Sequence, residues 1–325
     1  MFFMKDYIKF NCNHKMFRLI NLIIFRKGIL YMWLLFALLT FLIWGIADIF
    51  YKKGNLEEDK FSHLKTSITV GFVMGIHAIL YAIYNKTSVS LLEIIKYLPV
   101  SLCYIVSMIL GYKGFKYLNA SVSAPIQNAS FGSIVLCLIF GITLKTSEII
   151  GVAIILIGVF LLSLLEVKYD TSSKKEIFRN LRGQAIVLPI MYCILDNMGS
   201  ILDSVYLDQM NIISESAALL AYEFSFFIYA IVAFMILKFK HNEKLEIFKE
   251  KNRLFASLFE TLGQFFYVYA ISSHSVITIP IISCYSVASV VLARIFLKEK
   301  LTWAQYAVIA MIFTGIIILS VFGEL

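Results

Sequence analysis

Charge is scarce in this chain. Only 15% of its 325 residues are charged, whereas 60% are hydrophobic and the mean hydropathy is +0.83. A soluble protein of this length cannot cover so much apolar surface, so the composition predicts a protein of the lipid bilayer. The net charge of +8 does not indicate binding of nucleic acid, because almost all basic residues fall between apolar windows, where they meet lipid headgroups.

Sequence motifs for metal binding and catalysis are also missing. The five cysteines are an odd number with neither CxxC spacing nor a nearby histidine, which is typical of small buried hydrophobes rather than of disulfides or metal ligands. The absence of a Walker loop argues against ATP-driven transport within this chain. The absence of HExxH and of a Ser-His-Asp set argues against an intramembrane hydrolase. We therefore predict a protein that is not an enzyme and holds no metal or other cofactor.

What the sequence does have is a series of apolar windows, each about 20 residues long, which is the length of a membrane-spanning helix. Because these are continuous apolar runs and not short alternating segments, they predict helices and not the strands of a barrel. The predicted fold is an all-α polytopic membrane protein with ten transmembrane helices. The windows are 31–51, 66–84, 94–112, 118–141, 147–166, 183–203, 214–237, 253–272, 275–297 and 302–322.

Charged segments divide the chain. We expect residues 1–31 to be a basic N-terminal extension, either an interfacial helix or a spurious gene start, and residues 167–182 to be a charged linker. The two halves, 32–166 and 183–325, then hold five helices each. Basic residues concentrate in the loops after the odd-numbered windows, so the positive-inside rule places both termini outside, although the basic extension argues the opposite way.

An internal repeat relates the ends of the two halves. A shift of 157 residues places four residues of the first copy on identical residues of the second, namely Leu144 on Leu301, Ala153 on Ala310, Gly158 on Gly315 and Ser163 on Ser320. Pro125 and Pro280 come into register only when two residues are gapped. The pattern favours a duplicated, inverted five-plus-five arrangement.

All four prolines fall inside predicted helices, which excludes a role in stiffening loops. A proline frees a backbone carbonyl that lipid cannot satisfy, so such breaks occur where the carbonyl faces protein or a wet cavity. Matching breaks in two halves indicate a transport site. Pro125 and Pro280 are therefore our helix-break candidates, with a simple packing kink as the alternative for each.

Acidic side chains inside the windows are the strongest indication of a site, since each costs about 2.5–3.5 kcal/mol at the centre of a spanning helix. Two of the aspartates follow an aromatic residue by four positions, so that each pair shares a helix face. No obvious intramembrane cation neutralises these acids, and we expect them to bind a proton or a cationic group, with hydrogen-bonded structural carboxyls as the alternative. The candidates are Asp48 with Trp44, Asp196 with Tyr192, Glu223 and Glu260.

Uncharged polar residues cluster in the fourth window around Pro125, so much of that helix must face away from lipid. Asn128 of this cluster and Gln264 of the eighth window are further candidates for lining a water-filled path. We expect His77 to be a hydrogen-bonded interior histidine.

Three stretches carry a family resemblance: WGIADIFYKKG, APIQNAS and PIISCYSVASVVLARIFLKEKLTWAQYAVIAMIFTGIIIL. They resemble the EamA-type carriers of the drug/metabolite transporter superfamily, over about residues 32–322. The most specific matches are Phe296, Glu299, Leu301, Thr302, Gln305 and Gly315, and Glu299 matches the hinge glutamate of the family. The first copy departs from the pattern by carrying Ile142 in that register. The resemblance implies ten helices, an inverted repeat, a central cavity and export of amino acids, drugs or metabolites, and it implies cytoplasmic termini.

These observations predict a secondary transporter of small polar metabolites or drugs in the plasma membrane, an exporter that uses proton coupling or exchange. The expected partners are a small-molecule substrate and the lipid bilayer, without nucleic acid, and the expected state is a monomer or homodimer. The alternative is a non-transporting membrane subunit or scaffold. Proline breaks and unpaired acids favour the carrier, because a scaffold has no need of features that cost stability.

Overall fold

The computed structural model describes residues 32–56, 58–118, 120–128, 132–169, 178–245, 250–298 and 301–322. In this part of the chain every regular element is a helix. The predicted extension at 1–31 lies outside the described residues, as does Glu299. The helices are α1 Met32–Gly54, α2 Ser62–Asn85, α3 Leu91–Tyr117, α4 Ala120–Gln127, α5 Gly132–Phe140, α6 Thr146–Tyr169, α7 Phe178–Ser204, α8 Glu215–Met235, α9 Lys251–Ser283, α10 Tyr285–Phe296 and α11 Trp303–Phe322.

Local sequence sets the starts of the helices. Ser90 caps α3 by accepting a hydrogen bond from the backbone N–H of Glu93, whose carboxylate accepts in return from the backbone N–H of Ser90. This reciprocal pair satisfies two donors that the first helical turn leaves open. Ser214 caps α8 in a simpler way, by accepting from the backbone N–H of Ala217.

Five described segments are long and apolar enough to cross a membrane, which confirms a helical membrane protein. They are α1, α2, α3, α8 with its π-helical end at Lys240, and the segment Lys251–Phe296. The last has 46 residues, about twice the length that one crossing needs. It is not one straight helix, because His274 has a non-helical backbone (φ −147°, ψ 61°) between the two predicted windows.

Two of the predicted windows are not single helices. Window 118–141 forms α4 and α5, of 8 and 9 residues, and window 275–297 forms the end of α9 and α10, separated at Cys284. At about 1.5 Å per residue, α4 and α5 each extend about 12–14 Å, less than half of the hydrocarbon core. The prediction of one continuous helix per window was wrong here, since hydropathy does not register a break in the backbone.

The described helices pack as pairs drawn from the two predicted halves. The largest contacts are those of α2 with α8, α3 with α7, and α6 with α11. Helix α4 packs on α10, and α5 packs on α9, so the two broken segments lie against each other. Hydrogen bonds from Thr40 and Trp44 to backbone carbonyls of α9 join α1 to that helix.

The two helices that the 157-residue repeat relates, α6 and α11, pack against each other. A Cβ added at Gly158 would lie 2.4 Å from Ile312, and one added at Gly315 would lie 3.1 Å from the carbonyl oxygen of Gly151. These glycines therefore allow the two helix backbones to approach closely, as small residues do in membrane bundles.

The predicted linker is shorter in the structure, because α6 continues to Tyr169 and α7 already begins at Phe178. The four prolines all lie within helices, as predicted: Pro99 in α3, Pro125 in α4, Pro189 in α7 and Pro280 in α9.

Candidate functional site

A central cavity lies among α1, α3, α7 and α9. Its empty space is about 520 Å³, including the part that opens to solvent, which is within the range of sites for small molecules. The lining residues are Trp44, Asp48, Tyr51, Tyr104, Met108, Gly111, Tyr112, Phe115, Gln127, Tyr192, Asp196, Tyr222, Glu260, Gln264 and Tyr285. Six of the eight predicted site residues line this cavity, namely Asp48, Asp196, Glu260, Trp44, Tyr192 and Gln264.

Two of the cavity carboxylates are held by hydroxyl groups. The Ser289 hydroxyl donates to Asp48 over 2.5 Å, which joins α10 to α1. The Tyr51 hydroxyl donates to Glu260 over 3.0 Å, and Tyr112 donates to Tyr51 over 3.0 Å. Neither carboxylate forms a salt bridge with a described lysine, arginine or histidine.

Asp196 is the least enclosed of the three cavity carboxylates. It is half-buried, and the hydroxyl of Tyr192, one turn earlier in α7, interacts with it. Trp44 lies across the cavity, with its ring 5.2 Å from that of Tyr267 and 5.5 Å from that of Tyr285. No lysine, arginine or histidine among the described residues lines this space, so it combines three carboxyls with aromatic faces and lacks any cation of its own.

A second cavity adjoins the first and shares Trp44, Tyr104, Asp196 and Tyr285 with it. Asn128, a predicted site residue, lies in its wall and donates to the carbonyl of Ala124 one turn back. Its other lining residues are Asn197, Ser200, Tyr267, Ile279, Ile282 and Ser283.

Asn197 also connects this wall to the break between α4 and α5. Its Oδ1 accepts a hydrogen bond from the backbone N–H of Gly132 over 3.0 Å, which satisfies a donor at the start of α5. The polar residue after Asp196 therefore holds the broken segment against α7.

Gln264 has an unsatisfied hydrogen-bond donor in the cavity wall. Its side chain is only 2% exposed, and among the described residues its Nε2 has no hydrogen-bond partner. A buried amide nitrogen without a partner costs free energy, so its position in the cavity wall suits a ligand that carries an acceptor.

Glu223 does not lie in the cavity. Its fully buried carboxylate faces α2, where both oxygens lie within 2.9 Å of Nδ1 of His77. The expectation that it has no intramembrane partner was wrong, because His77 is 146 residues away in the sequence and only the packing of α2 on α8 brings the two together. His77 is hydrogen-bonded, as predicted, but its side chain is 33% exposed and so is only partly interior.

Asp203 is the acid that the sequence interpretation missed. It is 0% exposed, and its carboxylate accepts hydrogen bonds from the hydroxyls of Tyr97, Tyr104 (2.9 Å) and Tyr267 (3.1 Å). We call these four residues the Asp203 cluster. Asp203 is the last residue of window 183–203, which indicates a membrane surface, but it follows Asp196 by seven residues and therefore shares its helix face.

The two helix-break candidates, Pro280 and Pro125, lie at different distances from the interruptions in their helices. Pro280 is buried within a helical stretch, and the interruptions flank it at His274 and Cys284. Its carbonyl accepts from the Ser283 hydroxyl and the Cys284 thiol. Pro125 lies in α4, two residues before that helix ends. No group of three or more His, Cys, Asp or Glu in the described residues is arranged to hold a metal ion.

A network of charges joins the α1–α2 loop to the start of α9. Arg253 is 2% exposed and donates to the carbonyl of Gly54, to Asp59 and to the Ser62 hydroxyl. Lys65 pairs with the same Asp59 carboxylate at 3.1 Å. Burial raises the pKa of Asp59, but hydrogen bonds from Lys65, the backbone and Arg253 outweigh that and hold it below its ordinary value.

Apolar helices around a buried acidic cavity define a membrane protein with an internal polar site. The EamA-like transporter family model matches residues 31–164 and 205–321, and the chain belongs to that family. Its members are transporters, so membrane transport is the class of function. The chain shares its fold with a protein of known crystal structure, with a TM-score of 0.60, 14% identity, and coverage of 88% of this chain and 96% of that one. No curated protein matches the sequence.

Proposed function

We propose that this protein is a secondary transporter that moves a small organic cation through the central cavity in exchange for protons. The observation that carries the proposal is the composition of the cavity wall. Asp48, Asp196 and Glu260 line it together with aromatic rings, and no described cation neutralises them. Carboxylates and aromatic faces both attract cationic groups, and they attract them most strongly where water is excluded.

The open donor of Gln264 narrows the substrate class. A ligand that satisfies Nε2 must carry a hydrogen-bond acceptor in addition to its cationic group. A small metabolite with an amine at one end and a hydroxyl or carbonyl group at the other meets both requirements. A purely hydrocarbon cation would leave the amide unsatisfied and bind less well.

The pairing of the helices supports ten crossings in an inverted repeat. If α1, α2, α3, α4 with α5, and α6 correspond in order to the five spans after the linker, the contact of α1 with α9 becomes equivalent to that of α7 with α3. The contacts of α2 with α8, of α6 with α11 and of the two broken segments would then lie on the pseudo-two-fold axis. Such a repeat lets one half rock against the other around a fixed site.

Coupling to protons follows from charge balance. A proton that neutralises a buried carboxylate lowers the affinity of the site for a cation, so a proton gradient drives the exchange of one for the other. Export across the plasma membrane by a multi-pass carrier is the direction and location that the family resemblance implies.

Ligand-dependent stability tests the substrate class. Purified protein is heated with a panel of primary amines, quaternary ammonium compounds, neutral sugars and carboxylic acids. A ligand at 100 times its dissociation constant stabilises the folded state by about 2.7 kcal/mol, so true ligands raise the melting temperature. We expect stabilisation by amines that carry an acceptor. Stabilisation by acids or sugars alone would refute the cationic substrate.

Matched carboxyl variants locate the site. Asp196→Asn and Glu260→Gln should abolish the stabilisation by amines, whereas Glu223→Gln should retain it, since Glu223 is a buried carboxylate that lies outside the cavity. Transport driven by a pH gradient should collapse in Asp196→Asn, while folding stays near normal. If the whole panel leaves the melting temperature unchanged, the non-transporting subunit or scaffold becomes the better interpretation.

A further inference from the structure

The Asp203 cluster differs from the carboxylates of the cavity. No oxygen of Asp203 reaches the cavity surface, because the side chain is 0% exposed and is surrounded by three phenol groups. A substrate in either cavity therefore cannot contact it. Two of its phenols do reach the cavities, since Tyr104 lines both and Tyr267 lines the second.

No described cation balances this carboxylate. The titratable groups that face it are Tyr97, Tyr104 and Cys103 from α3, Tyr222 from α8, Tyr267 from α9, and Asp196 on its own helix. None of them carries a positive charge. Buried carboxylates are ordinarily paired with a cation or bound to a metal. An unpaired one with a full set of hydrogen-bond donors is suited to bind and release a proton.

We propose that Asp203 is the proton-binding carboxylate of this transporter, separate from the substrate carboxylates, and that Tyr104 transmits its protonation state to the cavity. The inference rests on the proposed exchange of a cation for protons, and it names Asp203 as the residue that binds the proton in that exchange. The step is simple: the proton adds to a carboxylate oxygen, and no covalent bond breaks.

The hydrogen-bond donors around Asp203 show how its protonation can change the hydrogen bonding of Tyr104 at the cavity wall. An ionised carboxylate accepts only, and here it receives the single proton of each of three phenols. Tyr97 donates to Oδ1, whereas Tyr104 and Tyr267 both donate to Oδ2. When Oδ2 takes the proton, it becomes an O–H donor with less capacity to accept, so one of its two phenols redirects its hydroxyl group. Tyr104 has two alternatives already in reach, the Ser200 hydroxyl at 3.2 Å and the Tyr267 hydroxyl at 2.8 Å. Both of these groups line the second cavity.

The cluster also joins three helices. Its members lie on α3, α7 and α9, so protonation weakens a contact among three helices. Just after Asp203, α7 changes to a π-helical turn at Val205–Gln209, and such turns are frequent at functional sites. Asp208 in that turn accepts hydrogen bonds from the backbone and hydroxyl of Ser275, directly after the kink at His274.

Infrared difference spectroscopy of the full-length protein in lipid vesicles detects the proton directly. On acidification the C=O stretch of each newly protonated carboxyl appears, and it shifts in D₂O. We expect one component of this band to be lost in Asp203→Asn and to remain in Asp208→Asn, a control five residues along that lies outside the cluster. Retention of every component in Asp203→Asn overturns the proposal.

A transport assay in vesicles distinguishes the proton-binding carboxylate, Asp203, from the substrate-binding carboxylate, Asp196. The probe is radiolabelled choline, a permanent cation that also carries a hydroxyl group as a hydrogen-bond acceptor. Asp203→Asn should still bind it and exchange it across the vesicle membrane, but should lose its accumulation against a gradient when a pH difference is imposed. Asp196→Asn should lose binding itself. Uphill accumulation by Asp203→Asn at the wild-type level also overturns the proposal.

A second variant covers a failure of Asp203→Asn to fold. Tyr104→Phe keeps the carboxylate and removes one phenol donor, so the Asp203 component of the band should shift in frequency. An unchanged band in Tyr104→Phe counts against the role of Tyr104. If wild-type protein shows the Asp203 band but neither binds nor moves the probe, the cationic substrate fails while proton binding by Asp203 stands.

Discussion

Replacing Arg253 by Gln should lower the free energy of unfolding by about 3 kcal/mol. The guanidinium makes three hydrogen bonds, to Gly54, Asp59 and Ser62, and it also pairs with Glu250. Pairing with the partly exposed Asp59 contributes at most about 1 kcal/mol because solvent screens it. The carbonyl of Gly54 and the hydroxyl of Ser62 account for the rest, since a buried acceptor left without its donor costs about 1–3 kcal/mol.

Reversible unfolding in mixed micelles measures this loss for the purified protein. Lys251→Gln is the matched control, because Lys251 is an exposed cation on the same helix two residues earlier. We expect the control to change stability by less than about 0.5 kcal/mol, as exposed substitutions do. A loss in Arg253→Gln no larger than that of the control would refute the reasoning, because the network would then be worth no more than a surface ion pair.

Three further outcomes follow from the packing and the charges. Gly71→Ala should cost about 1–3 kcal/mol of unfolding free energy, because its Cβ would lie 2.4 Å from the backbone oxygen of Phe226; Gly132→Ala, with no atom nearer than 3.6 Å, is the control in the same denaturation assay. Pro280→Ala should insert normally and reduce transport in vesicles, and unchanged transport at equal expression would make the proline a packing feature only. Asp59→Asn should lower the melting temperature at neutral pH, and this deficit should disappear only at a pH below the folded-state pKa of Asp59. That pKa is depressed from 3.8, so the contribution of the carboxylate is present above 3.8 and is lost as the pH falls through the folded pKa; an equal deficit at neutral pH and at that acid pH would contradict this.

Hydropathy was sufficient to predict the class of fold. The described parts of the ten windows are largely helical, since a continuous apolar run in lipid must satisfy its backbone internally. It was not sufficient to predict the breaks after Gln127 and at Cys284, because the residues there remain apolar or small on average. The polar residues Gln127 and Asn128 were the available signal, and they indicated a cavity wall without locating the end of α4.

The candidate site was predicted in part. The cost of an acid in an apolar window identified Asp48, Asp196 and Glu260, and the structure places all three around one cavity. The same rule also selected Glu223, because cost alone does not distinguish a cavity from a buried pair with a distant histidine. Asp203 was missed because it ends its window, although its spacing from Asp196 was visible in the sequence.

The position of Trp44 in the cavity wall makes its fluorescence a reporter of the cavity. The chain has three tryptophans, and Trp44 is the one that lines the cavity, while Trp33 packs against the ring of His274 and Trp303 is 89% exposed. Its indole lies within 5.5 Å of the rings of two tyrosines and donates to the backbone carbonyl of Glu260. With the other two tryptophans replaced by phenylalanine, the tryptophan emission, excited selectively over that of the 18 tyrosines, would come from the wall of the cavity alone. Binding of a ligand in the cavity could then be followed in time in vesicles that contain only this protein, without an attached dye.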